Sequence, residues 1–388
     1  MKNIQSAIIS IAAIFMVIML IATAGCTGSA RPDTGTGSPT DRTITDSSGR
    51  TVVVPEQVTR AVCASGGTCV RYLTYMKAAD TLVAVEDGER LNLSTGDSRA
   101  YVWANPGFAD LPITGSSRGV SINLEQVMTL APQVIFTMGT TANLTADGLS
   151  SQDTMQVKTG FPVFSLGSGS FQDDESRATL YASWRLLAQV MYKEDRAEEL
   201  IAYTDATIAD LVRRTNDIPE EKQRSAFIGG LSHGGAHGFL STQSEYMPFI
   251  WNHVKNAAAG SGVQNADFSK EGLLYADPDV IFIDAGTLGV TAEIGGFEEI
   301  KSPVYAGMKA VRNGDVYATL PYTGRSTNLE TQLVDAYYVG KIMYPDRFAD
   351  IDPKVKADEI YTMFVGVPVF DKLNANCDNL AFNNVPLK

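Results

Sequence analysis

Histidine is nearly absent from this chain of 388 residues: there are three, His233, His237 and His253. They form no HExxH pair, which excludes a zincin. Cysteine is scarce too, with four residues and no CxxC pair to mark a zinc site. No Walker A glycine loop occurs, so the chain is not the ATPase of a transport system. It also lacks any run of Lys or Arg, and its formal net charge is −13. A phosphate backbone needs a basic face, so nucleic acid is excluded as a partner. What remains, 44% hydrophobic and 19% charged residues, is the balance of a folded protein long enough for two cores.

The N-terminus reads as a targeting segment. Lys2 precedes Ala7–Ala24, an apolar stretch broken only by Ser10 and Thr23, and Gly25-Cys26 follows. A charged start, an apolar middle and small residues before a Cys make an export signal over residues 1–25. Ala24-Gly25-Cys26 is similar to a lipoprotein box, in which Cys26 takes the lipid. The other reading is an uncleaved anchor, since 18 apolar residues can just span a bilayer. Both place the body outside the cytoplasm, tethered to the outer face of the membrane. Residues 26–42 are rich in Gly, Ser, Thr and Pro and read as a flexible tether. Cys63 and Cys69 are placed either to pair as a disulfide or to sit as two buried thiols, and Cys377 is left over.

Glu194–Asn216 is the longest uninterrupted helical pattern. Ala197, Leu200, Ile201, Thr204, Ile208, Leu211 and Val212 share one face. Asp195 with Glu198 has the form of a capping box, and Arg213 and Arg214 suit the C-terminal end of the helix dipole. Strands alternate with helices on both sides of it, which argues for parallel sheets. Before it come a hairpin (Arg42–Asp46, Thr51–Val54), strands at Arg60–Cys63, Thr81–Val85, Val134–Phe136 and Pro162–Leu166, and another strand at Pro112–Gly115. Helices are expected at Val70–Ala78, Leu124–Leu130, Ala142–Leu149 and Ser176–Met191. After it come strands at Ala226–Gly230, Val280–Asp284 and Asp315–Thr319. The helices there are Glu245–Ala257, Ser269–Leu274, Tyr305–Val311, Asn328–Met343 and Lys354–Phe364.

The two halves repeat one another. Glu125-Gln-Val-Met-Thr-Leu-Ala-Pro132-Gln-Val-Ile-Phe136 aligns with Glu271-Gly-Leu-Leu-Tyr-Ala-Asp-Pro278-Asp-Val-Ile-Phe282. In each, a short helix is ended by proline and feeds a buried strand. One copy means little; two copies flanking a long helix favour two related lobes.

This pattern resembles the class III solute-binding proteins of ABC importers, which carry ferric siderophores, heme and cobalamin. Thr43-Ile-Thr-Asp46 with Gly49-Arg-Thr-Val-Val-Val-Pro55 is similar to the opening hairpin of that family. Leu124-Glu125 with Ala131-Pro132-Gln-Val-Ile is similar to its helix–Pro–strand motif, although Gln133 stands where Asp is usual. The resemblance covers residues 43–345. It implies an α/β fold of two lobes, each a mostly parallel sheet flanked by helices. The lobes would be 43–193 and 217–388, joined by one rigid helix at 194–216, with ligand in the cleft between them. It implies a monomer with no cofactor of its own, no enzymatic activity, an iron or cobalt chelate as cargo, and a permease and separate ATPase as partners. It also implies that Glu125 and Glu271, one per lobe, dock Arg pockets on the permease; as sequence alone, each is equally a solvated acid at a helix start.

For the ligand, aromatic and Arg residues expected on loops at strand ends are the candidates: Tyr101, Trp103 and Arg118 in the first half, Tyr246, Tyr322 and Arg325 in the second. Aromatic rings give flat apolar surface, and Arg pairs with an oxyanion. Trp251, expected in mid-helix, reads as core. His233 and His237, in a glycine-rich loop after a strand, read either as metal or heme contacts or as hydrogen-bonding residues in a shaped turn. The rival function rests on Gly230-Leu-Ser232-His-Gly234, a G-x-S-x-G match that would make a tethered esterase. It requires a helix after Ser232 and a late His, and the sequence offers neither.

Overall fold

A computed structural model describes residues 41–64, 67–90, 98–116, 122–139, 150–233, 235–289, 295–323 and 327–387. The chain opens with an antiparallel hairpin, β1 (Arg42–Thr45) and β2 (Thr51–Val54). Then follow β3 (Ala61–Cys63), α1 (Gly67–Tyr75), β4 (Leu82–Ala84), α2 (Ala100–Ala104), α3 (Leu124–Leu130), β5 (Val134–Met138), α4 (Ser151–Thr159), β6 (Val163–Leu166) and α5 (Asp174–Met191). α6 (Glu194–Thr215) separates these from β7 (Ser225–Gly229), β8 (Ser241–Gln243), α7 (Met247–Trp251), β9 (Lys255–Asn256), β10 (Gln264–Asp267), α8 (Lys270–Ala276) and β11 (Val280–Asp284). The remainder is α9 (Gly296–Glu299), α10 (Lys309–Asn313), β12 (Val316–Thr319), α11 (Leu329–Met343), α12 (Pro353–Val365) and α13 (Phe370–Ala375).

Two four-stranded parallel sheets result, ordered β4-β3-β5-β6 and β9-β7-β11-β12. Numbered in chain order within each sheet, both follow 2-1-3-4, so the repeat seen in sequence is a repeat of topology. β11 is buried along its whole length, as a central parallel strand covered on both faces should be. In β5 the side chains alternate: Val134 and Phe136 join the main core, while Ile135 packs with Val62, Ala84, Val127 and Val163 on the other face.

The repeated motif has the same build in both halves. Asn123 and Ser269 cap α3 and α8 by accepting the backbone N–H of Gln126 and Gly272, at 3.0 and 3.1 Å. Both helices end on a left-handed residue, Ala131 at φ 45° and Asp277 at φ 39°, directly before the proline. The residue after the proline has a matched task. Asp279 accepts the N–H of Ser225 at 2.9 Å, at the start of β7. Gln133 accepts the N–H groups of Thr59 and Arg60 at 2.7 and 3.1 Å, just before β3. An amide oxygen therefore does in the first half what a carboxylate does in the second.

α6 is continuous, as its periodicity requires. Its start differs from the expected capping box: Lys193 is the N-cap and gives no side-chain bond. Tyr192, left-handed at φ 54°, ends α5 and turns the chain straight into α6, which leaves Asp195 inside the first turn. Glu198 instead takes Arg185 of α5 through two bonds of 2.6 and 2.8 Å. Near its start α6 holds the first half, Arg196 donating to the Tyr75 carbonyl at 2.9 Å. Near its end it holds the second, Asp210 accepting the Tyr337 hydroxyl at 2.9 Å.

Other boundaries shift. The expected helix Glu245–Ala257 is only α7. Asn252 turns its amide onto the Pro248 and Ala336 carbonyls, His253 is left-handed at φ 50°, and Lys255–Asn256 then pairs with β7. Tyr305–Met308 forms turns, and helix begins only at Lys309, whose N–H is taken by Asp277 at 2.7 Å. Pro112–Gly115 forms isolated bridges, Val85 with Ile113 and Gly115 with Ile122, and no strand. Ala142–Leu149 lies outside the described residues. Cys63 and Cys69 form a disulfide, and Cys377 is a buried thiol.

Candidate functional site

In open parallel sheets, ligands bind at the carboxyl ends of the strands, where the strand order reverses. In the first half those ends lead into α1 and the turn after β6. In the second they lead into the loops after β7, β11 and β12. A cavity of about 170 Å³ lies there, lined by Thr68, Arg71 and Tyr72 of α1, Ser168, Gly169 and Ser170 after β6, Ser176 of α5, and Thr327 and Leu329 after β12. Its walls come from both halves. Gly169 is required: a Cβ there would stand 2.4 Å from the backbone of Ser176 and Leu180.

Arg71 is the cation of this cavity, and it is 1% exposed. It donates to the Thr327 carbonyl of the opposite half. Its guanidinium lies 5.2 Å from the centre of the Tyr101 ring. Burial works against its charge, but Tyr75, Tyr101, Glu330 and Tyr72 around it outweigh burial and hold it protonated. Glu330, buried on α11, accepts the Tyr75 hydroxyl, and burial pushes its carboxyl up against the pull of Arg71. Ser98 donates to the Pro321 carbonyl, and Gln172 to the Glu245 carbonyl at 3.1 Å, so further polar contacts join the halves.

The residues expected to touch ligand are placed differently. Tyr101 and Trp103 stand on α2, a short helix where a loop was expected. Tyr101 is fully buried and donates to Glu89 at 2.6 Å, so it supports Arg71 from behind the cavity wall. Trp103 is partly buried against the core. Tyr246 is buried at the start of α7, edge-on to Phe249 at 4.8 Å. Tyr322 is 2% exposed and donates to Gln243. Trp251 is core as expected, against Phe171 at 5.7 Å. Arg118 and Arg325 lie outside the described residues, Arg325 two positions before the cavity residue Thr327.

His233 and His237 stack, with ring centres 3.8 Å apart and planes 18° from parallel. The His237 Nε2 is 2.8 Å from the His233 carbonyl. Burial, followed by the neighbouring His237, lowers the His233 pKa, so the ring favours its neutral form. Among the described residues no three His, Cys, Asp or Glu side chains are grouped to hold a metal.

Ser232 is part of a different arrangement. Its N–H and hydroxyl donate to Asp284 at 3.3 and 3.4 Å, and its hydroxyl is 3.3 Å from that of Thr323. Burial lifts Asp284 to about 7, against the Gly286 and Ser232 bonds that lower it. The chain beyond Ser232 runs into β8, not a helix, and His253 bonds Thr215 at 2.9 Å. Among the described residues Ser232 therefore has no histidine base, and the nucleophile-elbow geometry is missing.

Glu125 and Glu271 are both exposed, each in the first turn of its helix.

Residues 77–323 match the family described as periplasmic binding protein. The chain is 22% identical over 336 residues to the molybdate-binding protein MolA of Haemophilus influenzae, covering 84% of this chain and 91% of MolA. It is 28% identical over 198 residues to the Fe(3+)-citrate-binding protein YfmC of Bacillus subtilis, covering 50% of this chain and 56% of YfmC. The solved structure of MolA bound to molybdate superposes with a TM-score of 0.61 at 21% identity, covering 84% of this chain and 99% of MolA.

Proposed function

Because this chain belongs to the periplasmic binding protein family, as a solute-binding protein of an ABC importer, we propose that it captures a compact, oxygen-rich anion in the cleft and hands it to the permease. The observation that carries this reading is the buried Arg71 in a cavity otherwise rich in hydroxyls. Arginine with hydroxyl donors suits an oxyanion or a carboxylate chelate. The volume, about 170 Å³, is below the roughly 300–1,000 Å³ of sites for drug-sized ligands. Heme, a corrinoid or a large siderophore is therefore a poorer fit than molybdate or ferric citrate, the ligands named for two relatives. The iron-chelate expectation narrows to a small carboxylate chelate, beside a metal oxyanion.

The proposed contacts are Arg71, Thr68, Ser168, Ser170 and Thr327, and Arg118 and Arg325 remain candidates from the sequence alone. Glu125 and Glu271 are the proposed docking acids, since both are exposed on matched helices. Cys26 is the proposed lipid anchor. Native mass spectrometry of protein purified from its own host tests the reading: a bound anion of a few hundred daltons or less supports it, and a bound heme or corrinoid overturns it.

A further inference from the structure

Buried charges of both signs lie behind the wall of the cavity. Arg99 stands 3.9 Å from Glu89, both buried, and Arg71 lies in the field of Glu330. Leu329 lines the cavity and Glu330 follows it in the first turn of α11. The Glu330 Oε2 accepts the Tyr75 hydroxyl, while Oε1 is buried and has no side-chain partner among the described residues. The groups facing it are Arg71 and Tyr75 of α1 and Tyr361 of α12. Arg196 of α6 binds the Tyr75 carbonyl but is itself paired with Glu199 at 2.8 Å. An anion placed beside Arg71 adds negative charge to a partly enclosed space with a buried carboxylate, Glu330, behind its wall. Like charges at close range in such a space cannot both stay ionised at low cost.

We propose that Glu330 sets the charge this site accepts: an anion binds beside Arg71 together with one proton, which forms an O–H bond at the Glu330 carboxyl. The proton comes from solvent, and the site gains one negative charge fewer than the ligand brings. This rests on the compact-anion reading above. The sign follows from burial. Burial already raises the Glu330 carboxyl, and a neighbouring anion raises it further, so binding takes up a proton wherever the free site is ionised. In that range affinity falls as pH rises, by about tenfold per pH unit for one proton. Protonation removes the carboxylate charge that Arg71 offsets less once it is shared with the anion.

The test is calorimetric titration with sodium molybdate and, in parallel, ferric citrate, in HEPES and in Tris, from neutral to alkaline pH. The two buffers differ in ionisation enthalpy, so the difference in observed heat counts the protons. We expect close to one proton taken up per anion at the alkaline end and a matching fall in affinity. Glu330→Gln should take up none, show a flat pH profile, and bind at least tenfold tighter than wild type at the alkaline end. Binding without proton uptake at any pH overturns the proposal and leaves the anion reading standing. If neither anion binds, the anion reading falls and the proposal with it. Should the variant melt early, the wild-type proton count decides alone.

Discussion

Replacing Arg71 by Met separates what this residue does for the ligand from what it does for the fold. Met keeps the apolar stem and removes the guanidinium. On the ligand side, a lost hydrogen bond to a charged group costs about 1.5–3 kcal/mol, or roughly 10- to 150-fold in Kd. On the fold side, Glu330 is left buried without the cation that lowers it. An ionised carboxylate stranded this way costs about 3–5 kcal/mol. Protonation is the escape from that cost, so the loss of stability should be small at pH 5 and largest at pH 8. Glu330→Gln in the same chain removes the stranded charge. The double variant should therefore regain most of the stability at pH 8 and none of the affinity. Urea unfolding at both pH values and calorimetry with molybdate and ferric citrate give the two readouts. Wild-type affinity in Arg71→Met would remove this residue from the site. A double variant no more stable than Arg71→Met at pH 8 would show that the two side chains do not act on each other.

Other outcomes follow from other parts of the molecule. The Cys63–Cys69 bridge closes a short loop, with a sequence separation of 6, so reduction should lower stability by about 2 kcal/mol, read as a drop in urea midpoint on adding dithiothreitol. Burial lifts Asp284 to about 7, so the folded state holds a proton there that the unfolded chain gives up near pH 4. Its contribution to stability is complete below pH about 4 and lost as pH rises through about 7. Between those limits the midpoint should fall further for wild type than for Asp284→Asn, and parallel falls would refute the assignment. Glu125→Lys with Glu271→Lys should abolish uptake in cells while ligand affinity and melting temperature stay near wild type; normal uptake would end the docking proposal. Cys26→Ser should move the protein from the membrane fraction to the soluble one, unless Ala7–Ala24 is retained as an anchor.

The fold was legible where the pattern is local. Continuous apolar runs such as Val280–Ile283 point to a buried strand, and α6 carries its period without interruption. The helix–Pro–strand repeat pointed to two similar halves before the shared 2-1-3-4 order was seen. Helix ends were less legible because side chains far along the chain fix them. α7 stops where Asn252 reaches the Ala336 carbonyl, 84 residues away.

The site was harder to read. Tyr101, Tyr246 and Tyr322 are all buried, two of them with hydroxyls bonded to Glu89 and Gln243, and composition does not separate a buried tyrosine from an open one. Arg71 was missed because its importance comes from Thr327, 256 residues later. One signal was present: a charged residue within the run Cys69-Val-Arg-Tyr-Leu, on a helix buried nearly all round. Gln133 reads as a departure from a motif in sequence, yet its amide oxygen fulfils the same bonds.

The most direct measurement is a crystal structure with molybdate or ferric citrate bound, in which the metal is located by anomalous scattering. One metal peak is expected in the cavity between α1 and α11, with ligand oxygens in hydrogen-bond reach of Arg71 and of hydroxyls from both halves. A peak at His233 and His237, or bound anion that leaves Arg71 untouched, would contradict it.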